Sequence, residues 1–242
     1  MDAFVALKEG MRWMWSLGDY GEVAERLAPC ADEMAAACRL GPGTTVLDVA
    51  AGNGNFAVAA ARLGAEVTAT DLTPRMVELG RTRTVKDAVA VEWREADAEE
   101  LPFAAASFDV VASVFGAMFA PRPERVASEL FRVVRPGGLV AMANYNDHGF
   151  LARFTELVAG YSRPAPVELP SPFAWGDPEE ARHRFGARAA SLDTYRRMAA
   201  FEFESKETAL AFWQRTSPPL LALKTLAKRC LRRPATPDRT PD

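Results

Sequence analysis

The residues best placed to do chemistry lie between positions 46 and 56. There Val46-Leu47-Asp48-Val49-Ala50-Ala51-Gly52-Asn53-Gly54-Asn55-Phe56 reads as strand, tight turn and helix start. Glycines at 52 and 54 let the backbone take positive φ or pass close to a ligand, and the N–H groups of the helix start point at whatever lies there. The combination makes a ligand cradle. One helix further on, Glu66-Val67-Thr68-Ala69-Thr70-Asp71 is a short strand ending in a carboxylate, which at that place can accept both hydroxyls of a ribose. Asp71 also suits a helix N-cap before Pro74, and the two roles are compatible. Gly-x-Gly-x-x-Ala equally fits a dinucleotide fingerprint, so the glycines alone leave the ligand open.

Further segments follow in order: Asp71-Leu72-Thr73-Pro74-x-Met76, Glu95-Ala96-Asp97-Ala98-Glu99-x-Leu101-Pro102-Phe103, Ser107-Phe108-Asp109-Val110-Val111 and Val133-x-Arg135-Pro136-Gly137-Gly138. With Asp48 four residues before Gly52, these five motifs make residues 44 to 145 resemble the class I S-adenosylmethionine-dependent methyltransferases, and in particular the small ones that act on metabolites. The resemblance implies S-adenosyl-L-methionine as cofactor and S-adenosyl-L-homocysteine as product. It places Asp97 against the adenine amino group, the backbone N–H of Ala98 toward a ring nitrogen, and Met76 alongside the ring plane, with Leu72 beside them. Asn53 belongs to the glycine loop, and Ala50 stands where the family's first loop glycine would be, which removes some backbone freedom. Ser113 and Phe115, at a strand end, are expected to contact the methionine part. Asp48 is unfavourable toward an anionic pyrophosphate and favourable toward a sulfonium and an ammonium, which argues against a dinucleotide.

These residues need a sheet to hold them. Strands are predicted over 44–49, 66–71, 88–94, 108–114 and 139–144, and helices over 56–63, 74–86 and 123–134. The expected fold is α/β: a Rossmann-like, doubly wound, mostly parallel seven-stranded sheet with helices on both faces, an antiparallel last strand and an N-terminal helical cap. The alternation Phe201-Glu202-Phe203-Glu204 suits that last, edge strand. Arg135-Pro136-Gly137-Gly138 reads as a structural turn. One methyltransferase domain over 1–233 is expected, with a cap (1–43), a cofactor-binding core (44–145) and a substrate-side half (146–233), followed by a disordered tail over 234–242.

The cap consists of helices predicted over 2–16 and 22–40. In similar proteins such helices close over the cofactor, so Tyr20 is a candidate donor to the cofactor carboxylate, and Trp13 and Trp15 are candidate walls of the substrate site. Equally, the tryptophans can serve simply to seat the cap on the sheet. Substrate choice must lie after the core, where Tyr145, His148 and Trp175 are the candidates, Trp175 ending a proline-rich loop. Methyl transfer from a sulfonium is a direct displacement that relies mainly on alignment, so a base is optional. If the acceptor is a hydroxyl, His148 is the candidate catalytic base, its alternative being a polar helix-start residue; His183 sits in a charged run. Two other readings keep the same fold: a cofactor-binding enzyme that does not methylate, such as a cyclase, or a non-catalytic binding module.

Composition narrows the partners. With 242 residues, 49% of them hydrophobic, and a formal net charge of −3, the chain has core enough for one sizeable domain and no overall pull toward nucleic acid or anionic membranes. A basic C-terminal end (Lys224, Lys228, Arg229, Arg232, Arg233) reads as a solvated helix face. Three dispersed cysteines show no metal-ligand spacing and suit a reducing compartment. Without an apolar run of the ~20 residues a span needs, and without a leader profile, a cytoplasmic location is expected. A small-molecule substrate is the expected partner, for a monomer or a homodimer.

Overall fold

Parallel strands buried on both faces should be apolar, and the central strand is so except for Thr45 at its start and the buried Asp48. Val46, Leu47 and Val49 of β1 (Thr45–Val49) are completely buried. In a computed structural model of the chain, which describes residues 2–18, 20–162, 165 and 167–231, β1 is flanked by β2 (Glu66–Asp71) and β4 (Phe108–Val114). β3 (Val91–Glu95) and β5 (Val134–Ala143) are the edges. The order is β3-β2-β1-β4-β5 and every pairing is parallel. The chain turns back on itself at β1, so a crevice opens between the C-terminal ends of β1 and β4, the place where sheets of this kind bind ligands.

Helices cover both faces. On one side lie α2 (Tyr20–Ala37), α3 (Asn55–Arg62) and α4 (Pro74–Lys86). Their Ala31, Ala35, Phe56, Ala57, Ala60 and Val77 pack with Trp93 of β3. The small alanines let α2 and α3 approach the sheet closely. On the other side α5 (Pro123–Val133) buries Val126, Leu130 and Val133 against the sheet. Phe185 of α7 (Pro178–Phe185) and the 3-10 turn Pro172–Gly176 complete that face. Of the remaining helices, α1 (Ala3–Trp15), α6 (Phe150–Ala159), α8 (Lys206–Thr216) and α9 (Pro218–Leu231), α1 reaches the loops at the crevice end, and α6 and α8 pack in one cluster with Tyr20, Phe115 and Tyr145.

Three expectations need correcting. The described residues hold a five-stranded sheet, not seven strands, and the expected antiparallel last strand is not among them. Residues 201–204 are not a strand: Phe201 and Phe203 turn their rings onto Phe212 and Trp213 of α8, ring centres 5.2–6.3 Å apart, so the alternation serves a helix face instead of a sheet edge. β5 also begins earlier than predicted, running straight through Arg135-Pro136-Gly137-Gly138 with a register shift against β4 between Phe108 and Val110. An edge strand tolerates a proline, and the bulge absorbs the glycines. The tail 234–242 and part of the basic end, Arg232 and Arg233, lie outside the described residues. No described helix is long and apolar enough to cross a membrane.

Candidate functional site

The loop after β1 is built on left-handed backbone. Ala50, Gly52 and Gly54 have φ of 54°, 58° and 87°. Glycine accepts that conformation readily, whereas Ala50 holds it at a cost, and Phe115 at the end of β4 does the same with φ 55°. Strained residues at two neighbouring strand ends mark the crevice as the place where the fold gives up local stability. Gly116 is required there: a Cβ on it would lie 2.0 Å from the Ala50 carbonyl oxygen. Gly54 is the N-cap of α3 and offers no side-chain cap, so the first turn of that helix is completed from elsewhere.

Asp48 completes it. Its Oδ2 accepts from the Ala57 N–H at 3.0 Å, setting a carboxylate at the positive end of α3. Its Oδ1 is buried and has no partner among the described residues. Desolvation pushes this carboxyl up to about 8, against the lowering effect of the Ala57 bond. Asp71 is also buried. Its Oδ2 accepts from Gly52 N–H at 2.9 Å and its Oδ1 from Thr73 N–H at 2.8 Å. Burial again raises the carboxyl, and the two backbone bonds oppose the rise. Each oxygen keeps a second lone pair, so Asp71 can hold the loop and accept from a ligand at once. Asp71 is not the N-cap considered for it: Thr73 holds that position, without a side-chain cap, and Asp71 fixes the turn before it through the Thr73 N–H.

Tyr20 lies over the loop: a Cβ on Gly52 would be 3.3 Å from its Cε1. Burial, with the nearby Asp71 carboxylate, pushes its hydroxyl up to about 12, so it stays a neutral donor. Tyr20, Asp48, Ala51, Asn53, Asn55, Phe56 and Phe115 line an enclosed pocket of about 10 Å³. From behind, Arg83 of α4 grips the loop, its Nη1 donating to Asn55 Oδ1 at 2.6 Å and Asn53 Oδ1 at 3.3 Å. Arg83 and Asn55 are parts of the cradle that the sequence reading gave no role. An arginine some thirty residues away leaves no local signal.

Asp97 is engaged from the cap. Its Oδ1 accepts from Glu99 N–H at 2.9 Å and its Oδ2 pairs with Lys8 Nζ of α1. Lys8 also meets Glu99 Oε2 at 2.6 Å, and the fully buried Glu99 side chain is shared with Arg122. Ala98 and Met76 are buried beside this corner, and Leu72 is half-buried. Lys8, Glu99 and Arg122 were not singled out from the sequence.

The other expected residues fall into three groups. Phe115 stacks on Tyr145 with ring centres 4.1 Å apart, which brings Tyr145 to the crevice. Burial raises the Tyr145 hydroxyl well above its ordinary value. Trp15 packs edge-on to Tyr20 at 6.3 Å and against Phe119 at 5.3 Å, while Trp13 is half-buried and its carbonyl accepts from Ser16 Oγ at 2.6 Å. Ser113 stitches backbone: its hydroxyl donates to Val49 O at 2.7 Å and accepts from Ala117 N–H at 2.9 Å. Two residues lie apart. Trp175 is buried in the core under the Arg184 guanidinium, 4.5 Å from its ring centre. His148 is 75% exposed, 3.4 Å from Asp147, and does not line the pocket.

Comparison with known proteins gives a consistent picture. Residues 47–142 match the methyltransferase domain family. An uncharacterized protein of Mycobacterium bovis is 40% identical over 186 residues, covering 76% of this chain and 68% of the relative. The ubiquinone/menaquinone biosynthesis C-methyltransferase of Brucella anthropi is 44% identical over 111 residues, 44% of this chain and 42% of that one. Among solved structures, the YcgJ protein of Bacillus subtilis superposes with a TM-score of 0.53 at 24% identity over 65% of this chain and 66% of that one, a likeness of fold.

Proposed function

The chain belongs to the S-adenosylmethionine-dependent methyltransferases, and from that premise we propose that it methylates an O, N or C nucleophile of a small metabolite, acting mainly by proximity and orientation. When bound, S-adenosylmethionine supplies an electrophilic methyl on a sulfonium. The observation that carries the reading is the unpartnered, buried Oδ1 of Asp48 in a pocket lined by the glycine loop: an acceptor that lacks a donor fits the cofactor's ammonium. In this reading Tyr20 donates to the cofactor carboxylate and Asp71 accepts from the ribose hydroxyls with its remaining lone pairs. Asp97 and the Ala98 N–H hold the adenine edge beside Met76 and Leu72. Gly52, Gly54, Ala50 and Asn53 shape the loop, while Ser113 fixes the strand end so that Phe115 can face the methionine part.

The acceptor would lie on the aromatic side. The stacked Phe115–Tyr145 pair, with Trp13 and Trp15 on the cap, supports a flat, ring-containing molecule, as does the similarity to a quinone-biosynthesis C-methyltransferase. Holding such a ring in line with the reacting carbon and excluding water recovers most of the rate without a base, and orientation of this kind is worth roughly 7–11 kcal/mol. His148, exposed and outside the pocket, is then dispensable. We assign the activity to secondary metabolism in the cytoplasm, with the substrate half after residue 146 setting the scaffold.

The test is turnover. Purified protein incubated with labelled S-adenosylmethionine and a panel of phenols, quinols and amines should release S-adenosylhomocysteine, and Asp71→Ala should weaken cofactor affinity at least tenfold while remaining folded. Tight cofactor binding with no turnover on any acceptor would favour a non-methylating use of the same pocket. An unchanged dissociation constant in Asp71→Ala would remove that residue from the ribose.

A further inference from the structure

Helix α1 meets the crevice loops along one stripe, while it packs on α9 elsewhere. Phe4 lies under the Arg122 guanidinium, 4.7 Å from ring centre to Cζ; Lys8 reaches Asp97 and Glu99; Arg12 meets Glu95 at 2.7 Å; and Trp15 packs on Phe119 and Tyr20. Positions 4, 8, 12 and 15 are spaced by four, four and three residues, one face of a helix. That face lies across the loops that follow β3 and β4, the adenine end of the crevice. No residue of α1 is fully buried, and on the crevice side the contacts are ion pairs and ring edges, with Leu7, Met11 and Met14 partly buried elsewhere on the helix.

Two features make this contact reversible. Glu99 keeps the Arg122 backbone N–H at 2.7 Å and Arg122 Nε at 2.6 Å when Lys8 leaves, and Asp97 keeps the Glu99 N–H, so no buried carboxylate is stranded. Arg12 and Glu95 are both more than 40% exposed and return to water at little cost. Opening is also needed. Lys8 Nζ already holds Asp97 Oδ2 and the α1 face covers the adenine end, so an adenine ring reaches Asp97 only when α1 gives way.

We propose that α1 is an ion-pair-latched strap over the adenine end of the site, and that Lys8 is an internal competitor for Asp97 which the cofactor must displace. The inference rests on the cofactor reading above. The strapped form lowers apparent affinity by the fraction of molecules that are open, so loosening the latch raises affinity and association rate together.

The probe is S-adenosylhomocysteine, whose ammonium and carboxylate cancel and which therefore carries no long-range attraction of its own. Lys8→Ala should raise its association rate and its affinity by roughly three- to tenfold, and Lys8→Arg should restore wild-type behaviour. Added salt should speed association to the wild-type chain and leave Lys8→Ala nearly unchanged. Independently of any ligand, hydrogen exchange over residues 3–15 should quicken in Lys8→Ala while the strands stay protected. Unchanged exchange, or affinity that is equal or lower in Lys8→Ala, would overturn the strap; lower affinity would make Lys8 a group that positions Asp97 in the bound state. Faster exchange with no binding to either protein would instead overturn the cofactor reading, and the competition with it.

Discussion

A carboxyl group with one oxygen bonded to a helix N–H and the other bonded to nothing is costly to bury ionised, and Asp48 is such a group. Its folded pKa of about 8 stands far above its ordinary 3.8. Between those values the folded chain holds a proton that the unfolded chain has released. Stability from this group is therefore complete below about pH 4 and is lost as pH rises through about 8. Asp71, raised by the same cause, adds in the same direction. Asp48→Asn keeps an acceptor for the Ala57 N–H and removes the titration. Its urea midpoint should decline less between pH 5 and 8 than that of the wild type, with a difference at pH 8 on the order of 1–3 kcal/mol. Parallel pH profiles would show that the buried carboxyl finds a donor in solution. A cation placed on Oδ1 favours the ionised form, so cofactor binding should release a proton near neutral pH.

At the scale of elements, the cradle depends on a wedge. Trp93 of β3 is inserted between the loop and α4, so that a Cβ on Gly54 would lie 2.8 Å from its ring and a Cβ on Gly80 only 2.2 Å. In an unconstrained helix, glycine to alanine gains about 1 kcal/mol. Gly80→Ala should instead destabilise by about 2 kcal/mol or more, because the ring must move and Gly54 lies on its far side. Gly10→Ala in α1, where nothing lies within 4 Å, should show the ordinary gain. Thermal unfolding of the two variants gives the comparison, and equal shifts would mean that Trp93 is not fixed. The sequence shows the frame of this arrangement well. β2, β4 and α4 fall where a buried apolar run, a terminal aspartate and an N1 proline put them, and β1 is predicted to within one residue. What it hides is distance: Lys8 with Asp97 and Arg83 with Asn55 are pairings that no local pattern announces. It also misleads where one pattern serves two ends, as Phe201 and Phe203 do by packing on α8 in an alternation that reads as a strand.

At the scale of the whole molecule, an exposed stretch without regular structure joins α7 to α8. Residues 191–203 have no regular secondary structure, Tyr195 is 76% exposed and Met198 is 92% exposed. Arg197 is tied to the surface by an exposed pair with Glu33 at 2.7 Å, which holds little. A protease needs a segment that can leave the surface, and this one can do so without disturbing a strand. Brief trypsin treatment should therefore break the chain early at Arg196 or Arg197, as read by the masses of the two products. The fragments should nevertheless stay together. Phe201 and Phe203 pin the far side of the break to Phe212 and Trp213, which share a cluster with Val23 and Leu27 of α2, and α9 packs on α1. The nicked protein should run as one species in gel filtration and still bind S-adenosylhomocysteine, because Asp48, Asp71, Asp97 and the glycine loop all precede the break. Separation of the fragments would mean that the C-terminal helices are held by the connection and not by their packing. Fragments that stay together but no longer bind the cofactor would mean that the path through 191–203 shapes the pocket from outside it.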